Sequence, residues 1–373
     1  VLSGSIASGQ IGVNHLASGS VLSGSIASGQ IGVNHLASGS VLSGHIASGQ
    51  VGNNHLAALT SLTDADIQLP DEVPIYDTSA TANRKVLARR FLAPGGFTSM
   101  GRLTLSSTLP VTTADITGAT NLYYVPYPGQ YIRLYDGTRW QLWWVSTIIT
   151  KALGTLTADK IYDVFMFYDA GPIVEMELVA WTNDTTRATA LTTQDNVLVK
   201  SGDATRLYLG TIRTTSTTTT EDSVTKRFVW NYYNRVERTL LVTEATNSWT
   251  YSTATWRSAN NSTANRVAVV VGWAEVVVSL TVGQLVNCGT GGAATNGIAE
   301  DATNTSNADL ATAIQIASAG DYIGLYTSLR KYPAVGYHYY QWTEYANFGT
   351  ITWYGTYSDS TLRKASLLGS IWG

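Results

Sequence analysis

Three groups of residues in this 373-residue chain have types and spacing that suit chemistry. Glu175 and Glu177 lie two apart in IVEMELV, and Asp163 and Asp169 sit on the strand-like run before it. A strand sends alternate residues to one face, so both glutamates face the same way. Paired carboxylates can act as acid and nucleophile on a glycosidic bond, although glutamates two apart are more commonly a strand's solvated side. His15, His35 and His55 recur at one place of a twenty-residue repeat, with His45 between them. In a parallel trimer each would make a ring of three imidazoles, a set able to hold a metal or an anion. No second ligand type accompanies them, so they are expected to be polar repeat positions, with no metal and no cofactor. The third group is aromatic. Tyr337, Tyr339, Tyr340, Trp342, Tyr345, Trp353 and Tyr354 crowd the C-terminal region, and Tyr123, Tyr124, Tyr127, Tyr131, Trp140, Trp143 and Trp144 crowd the middle. Exposed Tyr and Trp stack on sugar rings and anchor interfaces at low entropic cost, whereas buried ones fill cores. The C-terminal set is the candidate receptor or glycan contact; the middle set is expected in cores or between subunits. No GxSxG elbow, HExxH helix or Gly-rich phosphate loop is present, and no catalysis is expected.

The elements that must position these residues begin with a repeat. Residues 1–20 (VLSGSIASGQIGVNHLASGS) recur letter for letter in 21–40 and with drift in 41–60. Within each unit an aliphatic residue falls every fifth position (Val1, Ile6, Ile11, Leu16), separated mostly by Ser, Gly, Ala, Asn and Gln. Fixed-period self-similarity marks a quasi-one-dimensional element. Three arrangements suit the beat of five: an intertwined trimeric shaft with its aliphatics on the axis, a square β-solenoid with one unit per coil, or a flexible tether. Sixty extended residues would reach up to about 200 Å, whereas three stacked coils would stand about 15 Å tall. Three coils bury too little apolar surface to stand alone, which favours several chains.

Composition narrows the class. Charged residues are 13%, the net charge is −3, and 21 Tyr and 11 Trp stand against 6 Phe. No basic excess exists to bind phosphate, so no nucleic-acid role is expected. Thr, Tyr, Trp and Val favour strands, and Gly, Asn and Ser supply turns. The lone cysteine, Cys288, rules out an internal disulfide framework. No run of eighteen apolar residues suggests a membrane span. No basic segment precedes an apolar core at the start, so no signal peptide is expected.

After the repeats, residues 61–100 are expected to be a connector with Pro70 and Pro74, followed by a helix in TSATANRKVLARRFLAPGG. Thr78 or Ser79 would cap that helix and Pro94-Gly95-Gly96 would end it. Lys85, Arg89 and Arg90 make it an amphipathic junction or a basic docking surface. Residues 101–243 carry many short alternating runs at roughly ten-residue spacing, which suggests a sandwich or jelly roll. Tyr135-Asp136-Gly137-Thr138-Arg139 is a hairpin signal; Ala152-Leu153-Gly154 and Asp203-Ala204 are weaker reversals. Residues 244–373 form a second β set, with a short helix expected over Ala308–Ala317 and the distal head of the molecule.

The run LTLSSTLPVTTADITGATNLYYVPYPGQYIRLYDGTRWQ resembles structural and fibre proteins of tailed bacteriophages. So do NSWTYSTATWRSANNSTANRV, the segment from Asp195 to Arg238 and the ending GSIWG. The SGSIASGQIG repeats with their NHLASG step are similar to shaft repeats of phage tail and head fibres. The resemblance implies a homotrimeric external appendage of a virion, held by other virion proteins at its N-terminal end and meeting host polysaccharide or protein at its C-terminal end. It carries over no catalytic or binding residues. The resulting expectation is an all-β chain: a repetitive fibrous shaft (intertwined trimer or β-solenoid) followed by two antiparallel β-sandwich or jelly-roll-like domains. Its function would be host attachment. A capsid or neck decoration without receptor binding, a polysaccharide-degrading tailspike and a bacterial adhesin are the competing readings.

Overall fold

The computed structural model describes the backbone of 72–77 and 82–87, and residues 97–373 apart from 170–173, 289–290, 316–319 and 357–362. The chain divides into two compact units, Val1–Ile67 and Gln68–Gly373. The repeats, and with them His15, His35, His45 and His55, lie outside the described residues, as do Thr78, Ser79, Arg89 and Arg90.

Strands β1 (Glu72–Asp77) and β2 (Ala82–Leu87) pair antiparallel. Then come β3 (Gly101–Thr104), β4 (Ile116–Ala119), β5 (Asn121–Pro126), β6 (Tyr131–Tyr135), β7 (Trp140–Trp144) and β8 (Ile149–Ala152). The next stretch supplies β9 (Ile161–Tyr168), β10 (Val174–Ala180), β11 (Leu191–Gln194), β12 (Val197–Lys200), β13 (Asp203–Arg213) and β14 (Thr220–Asp222). It continues with β15 (Lys226–Arg227), β16 (Val229–Asn231), β17 (Glu237–Thr243), β18 (Ser248–Tyr251), β19 (Arg257–Ser258), β20 (Arg266–Val271) and β21 (Val278–Cys288). Last are β22 (Ala293–Glu300), β23 (Leu310–Ala311), β24 (Ala313–Gln315), β25 (Tyr322–Lys331), β26 (Gly336–Phe348), β27 (Ile351–Tyr354) and β28 (Ser366–Trp372). Among the described residues the helical content is one 3₁₀ turn, Ala259–Asn261. The chain is all-β.

The larger sheets stack around shared cores. A middle sheet runs β10-β9-β13-β12-β11, with β16 on β13. On one side lie two small sheets, β3-β5-β8 and β6-β7. On the other, the sheet β24-β22-β26-β20-β15-β14-β4 and the sheet β17-β28-β21-β25-β23 pack as a sandwich. Among the described residues every strand pairing is antiparallel except β15 with β20. Strand sequences follow from these positions. β21 faces one core, so Val278, Leu280 and Val282 turn inward and Ser279 and Thr281 outward. β9 lies between two cores and is apolar on both faces: Ile161 and Phe165 enter one core, Val164 and Met166 the other. Strands from both sides of residue 243 share sheets and share the larger core.

The turn at 135–139 forms as expected. The Asp136 carboxylate accepts from the amides of Thr138 and Arg139, both at 2.9 Å, and Gly137 takes a left-handed φ of 93°. The side-chain bond from Gln141 holds the exposed Asp136 carboxyl below the usual carboxylate range. The reversal near 203 is made instead by Ser201 and Gly202, so Asp203-Ala204 begin β13. Two expected helices are strands. β2 occupies the middle of the 78–96 segment, because six residues register against β1 from Asp77↔Ala82 to Glu72↔Leu87. That ladder outweighs the helix propensity of Lys, Arg, Ala and Leu, which is a weak prior. Within Ala308–Ala317, Leu310–Ala311 pair with β25 and Ala313–Gln315 with β22. A short apolar run cannot be told from helix by period alone.

Candidate functional site

The seven C-terminal aromatics divide by the alternation of β26. His338, Tyr340, Trp342 and Glu344 point into the sandwich, and Tyr340 and Trp342 are 0% exposed. Trp353 is equally buried, in a smaller core with Val286, Leu325 and Ile351. These three support the fold and present nothing to a surface ligand. Tyr337 and Tyr339 lie half-buried on the opposite face, beneath the Arg213 and Arg266 guanidinium groups at 4.0 and 4.8 Å. Tyr345 packs on Trp256, and Tyr354 sits on the other sheet beside exposed Tyr322. The seven therefore do not form one surface. In the middle set, Tyr124 is core with its hydroxyl on Ser99, Trp143 stacks on Tyr168 at 4.2 Å, and Trp144 is exposed.

The carboxylates are mostly committed. Glu177 accepts from Lys200 Nζ at 2.7 Å and from Arg206 Nε at 3.1 Å. Asp163 is buried and bound by Arg187 Nε at 2.6 Å and Thr211 Oγ1 at 2.8 Å; burial pushes its carboxyl up, against the pull of Arg187. Glu175 is exposed on the wall of a groove between β8 and β10, with Lys151 and Trp144. Residues 170–173 lie outside the described residues.

A cleft at one end of the β21-containing sheet has every lining residue described. Its volume is about 610 Å³, and it is lined by Tyr232, Tyr233, Asn234, Arg235, Glu275, Val276, Val277, Arg330 and Trp372. The turn after β16 supplies the first four. Asn234 adopts φ 52°, a left-handed conformation that Asn tolerates. Its amide donates to the carbonyls of Ser99 and Gly101 at 2.9 and 3.1 Å, and Arg102 donates to its own carbonyl, so the turn is clamped. Gly373 and Val236 exchange backbone bonds of 3.0 and 3.3 Å, which brings the end of β28, and with it Trp372, against the turn. Inside the cleft, Tyr232 meets Tyr233 edge-on at 4.9 Å and Trp273 at 6.4 Å. Arg235 donates to Glu275 at 2.5 Å. Burial and then Glu275 push the Tyr232 hydroxyl upward, so it stays protonated. Trp372 is 51% exposed, and Arg330 has no ion-pair partner among the described residues. Exposed indole, an uncommitted guanidinium and a fixed Arg–Glu pair can together bind a polar ligand with one apolar face. Sequence reasoning missed this cleft; the Asn in NYYNR was the one local signal for its turn.

His338 gives the fold a pH response. Its Nδ1 lies 2.7 Å from Asp301 Oδ2 and its Nε2 lies 3.0 Å from the Ala334 carbonyl. Two acceptors suit an imidazolium, which donates from both nitrogens. Burial opposes the charge, but the Asp301 hydrogen bond and charge prevail and hold His338 above its usual 6.5. The folded value exceeds the unfolded one, so this contribution is complete below about pH 6.5 and is lost as pH rises through the folded value. In urea titrations from pH 6 to 9, the wild-type chain should lose stability relative to His338→Gln as the pH rises. Parallel pH profiles for the two proteins would refute this.

No family model matches the chain, and no curated protein does. Among solved structures the chain is similar to a Bacillus thuringiensis Cry1Da tryptic core variant, with 8% identity and a TM-score of 0.15 over 82% of this chain. The match spans 58% of that protein's chain. A likeness so loose carries no argument about fold or function. Among the described residues no helix is long and apolar enough to cross a membrane, and no His, Cys, Asp and Glu cluster could hold a metal.

Proposed function

We propose that the chain is a virion fibre subunit that works as a homotrimer and attaches to the host surface through the cleft at Trp372. The cleft is the observation that carries this: a hollow that sets a half-exposed indole beside an uncommitted guanidinium. The repeats of 1–60 form the shaft in this proposal, other virion proteins hold the N-terminal end, and the sandwich is the head. Three heads on one shaft multiply a weak contact by effective concentration. Low charge and abundant Tyr and Trp suit a surface built for contact. The second reading, decoration of a capsid or neck without a receptor, would leave the cleft idle.

Two measurements test the proposal. The solution mass should be three times the 40.0 kDa of one chain. Labelled wild-type protein should adsorb to host cells, and Trp372→Ala should lower that adsorption at least tenfold. A monomer would overturn the trimer. Equal adsorption by the two proteins would remove the cleft from attachment, and absence of any adsorption would favour pure architecture.

A further inference from the structure

We infer that the cleft at Trp372 takes a carboxylate-bearing pyranose, an acidic saccharide. The inference rests on the attachment reading and names its ligand. Trp372 ends β28 on the outer face of its sheet, opposite Glu237 of β17. Half its surface is open although its ring could have been buried like Trp342 and Trp353. An indole face matches the C–H face of a pyranose, and sugar hydroxyls then reach the polar rim.

Charge selects the acid. The lining has two guanidinium groups, Arg235 and Arg330, against one carboxylate, Glu275. Arg235 is already bound to Glu275 at 2.5 Å. Arg330 is exposed on β25, and its backbone amide is pinned by Asp309 Oδ2 at 2.6 Å while its guanidinium has no acid partner among the described residues. The surplus positive charge therefore sits on one fork-shaped group on a fixed strand. A guanidinium fork matches a carboxylate bidentately, which an ammonium does not. Glu237, which accepts from Ser370 Oγ at 2.6 Å, and Asp309 lie outside the lining of the cleft. Glu275 keeps a second oxygen for a hydroxyl, and the half-buried Tyr232 adds apolar wall. The volume of about 610 Å³ falls within the usual range of small-ligand sites.

The test is calorimetry on the full chain with a hexuronate oligosaccharide, a sialylated trisaccharide and the carboxyl-reduced form of each. At least one acid should bind, and its reduced form should bind at least tenfold more weakly. Arg330→Gln should weaken the acid by about tenfold, the scale of a lost charge-assisted contact, and leave the reduced form unchanged. Trp372→Ala should abolish both. Rising salt should weaken only the acid. Equal binding of acid and reduced form, an Arg330→Gln protein with wild-type affinity, or no binding of either acid would overturn the ligand class. Adsorption to host cells is scored in parallel. Adsorption that needs Trp372 but resists competition by both acids would defeat the ligand class while leaving the attachment reading intact. Failure of both adsorption and saccharide binding would defeat both.

Discussion

Asp163→Ala should cost the folded chain about 3–5 kcal/mol, because it leaves a buried guanidinium without its counter-charge. Asp163 is 1% exposed and sits on β9, in the middle sheet. Arg187 grips it with Nε at 2.6 Å and Nη2 at 3.3 Å. The same Nη2 donates to the Gly272 carbonyl at 2.5 Å and approaches the Tyr208 hydroxyl at 3.4 Å. Thr211 closes the circuit, donating to Asp163 at 2.8 Å and lying 2.6 Å from the Tyr208 hydroxyl. The network joins the middle sheet, the turn bearing Arg187, and the connection between β20 and β21. Gly272 permits it: a Cβ there would stand 2.1 Å from the Tyr208 hydroxyl and 2.5 Å from Thr211 Oγ1. Charge pairing, more than packing, accounts for the expected loss. Adding Arg187→Met to Asp163→Ala should therefore recover part of the stability, since no unpaired charge remains. The check is the urea midpoint of the two variants against wild type. A loss below about 1 kcal/mol in the single variant, or no recovery in the double, would show that the pair is not what joins these elements.

Trp342→Ala should cost about as much, roughly 3–5 kcal/mol, by opening a cavity in the larger core. Its ring is fully buried beside Tyr340 and Ile298, where little can collapse to fill the space. Trp372→Ala should lower stability by no more than about 1 kcal/mol, because half its ring is already in water. Function should divide the other way. Trp342→Ala, assayed where it is still folded, should adsorb to host cells like wild type, whereas Trp372→Ala should not. The paired measurement is a urea midpoint and an adsorption assay for each variant. A stable Trp342→Ala protein that has lost adsorption would return the site to β26.

Why the aromatics were misplaced is visible in β26 itself. Tyr337, Tyr339, Tyr340, Trp342 and Tyr345 occur on both faces of one strand, so aromatic content does not tell inside from outside. Pairing with β20 and β22, and the sheet packed beyond them, decide that His338, Tyr340 and Trp342 turn inward. A one-residue change of register would have reversed the faces. The expected helices fail for a related reason: Arg84 and Val86 sit opposite Ile75 and Val73 in a hairpin ladder, and helix propensity along one segment does not weigh such cross-strand pairs. The cleft is harder still to foresee, since Tyr232 and Trp372 are far apart in the chain and come to one cleft through the β17–β28 ladder and the Val236–Gly373 bonds that extend it.

The sequence by itself determined that the described chain is all-β, where its stronger strands run, and that Asp136 and Gly137 reverse the chain between β6 and β7. Those properties are local: β-propensity, period-two alternation and the φ that glycine allows act within a few residues. Only the tertiary structure decided which aromatics are core, which carboxylates are spent in ion pairs, and which indole is left open beside an unpaired guanidinium. Those depend on strand register and on which sheet packs against which, and both are set by contacts between residues distant in the chain.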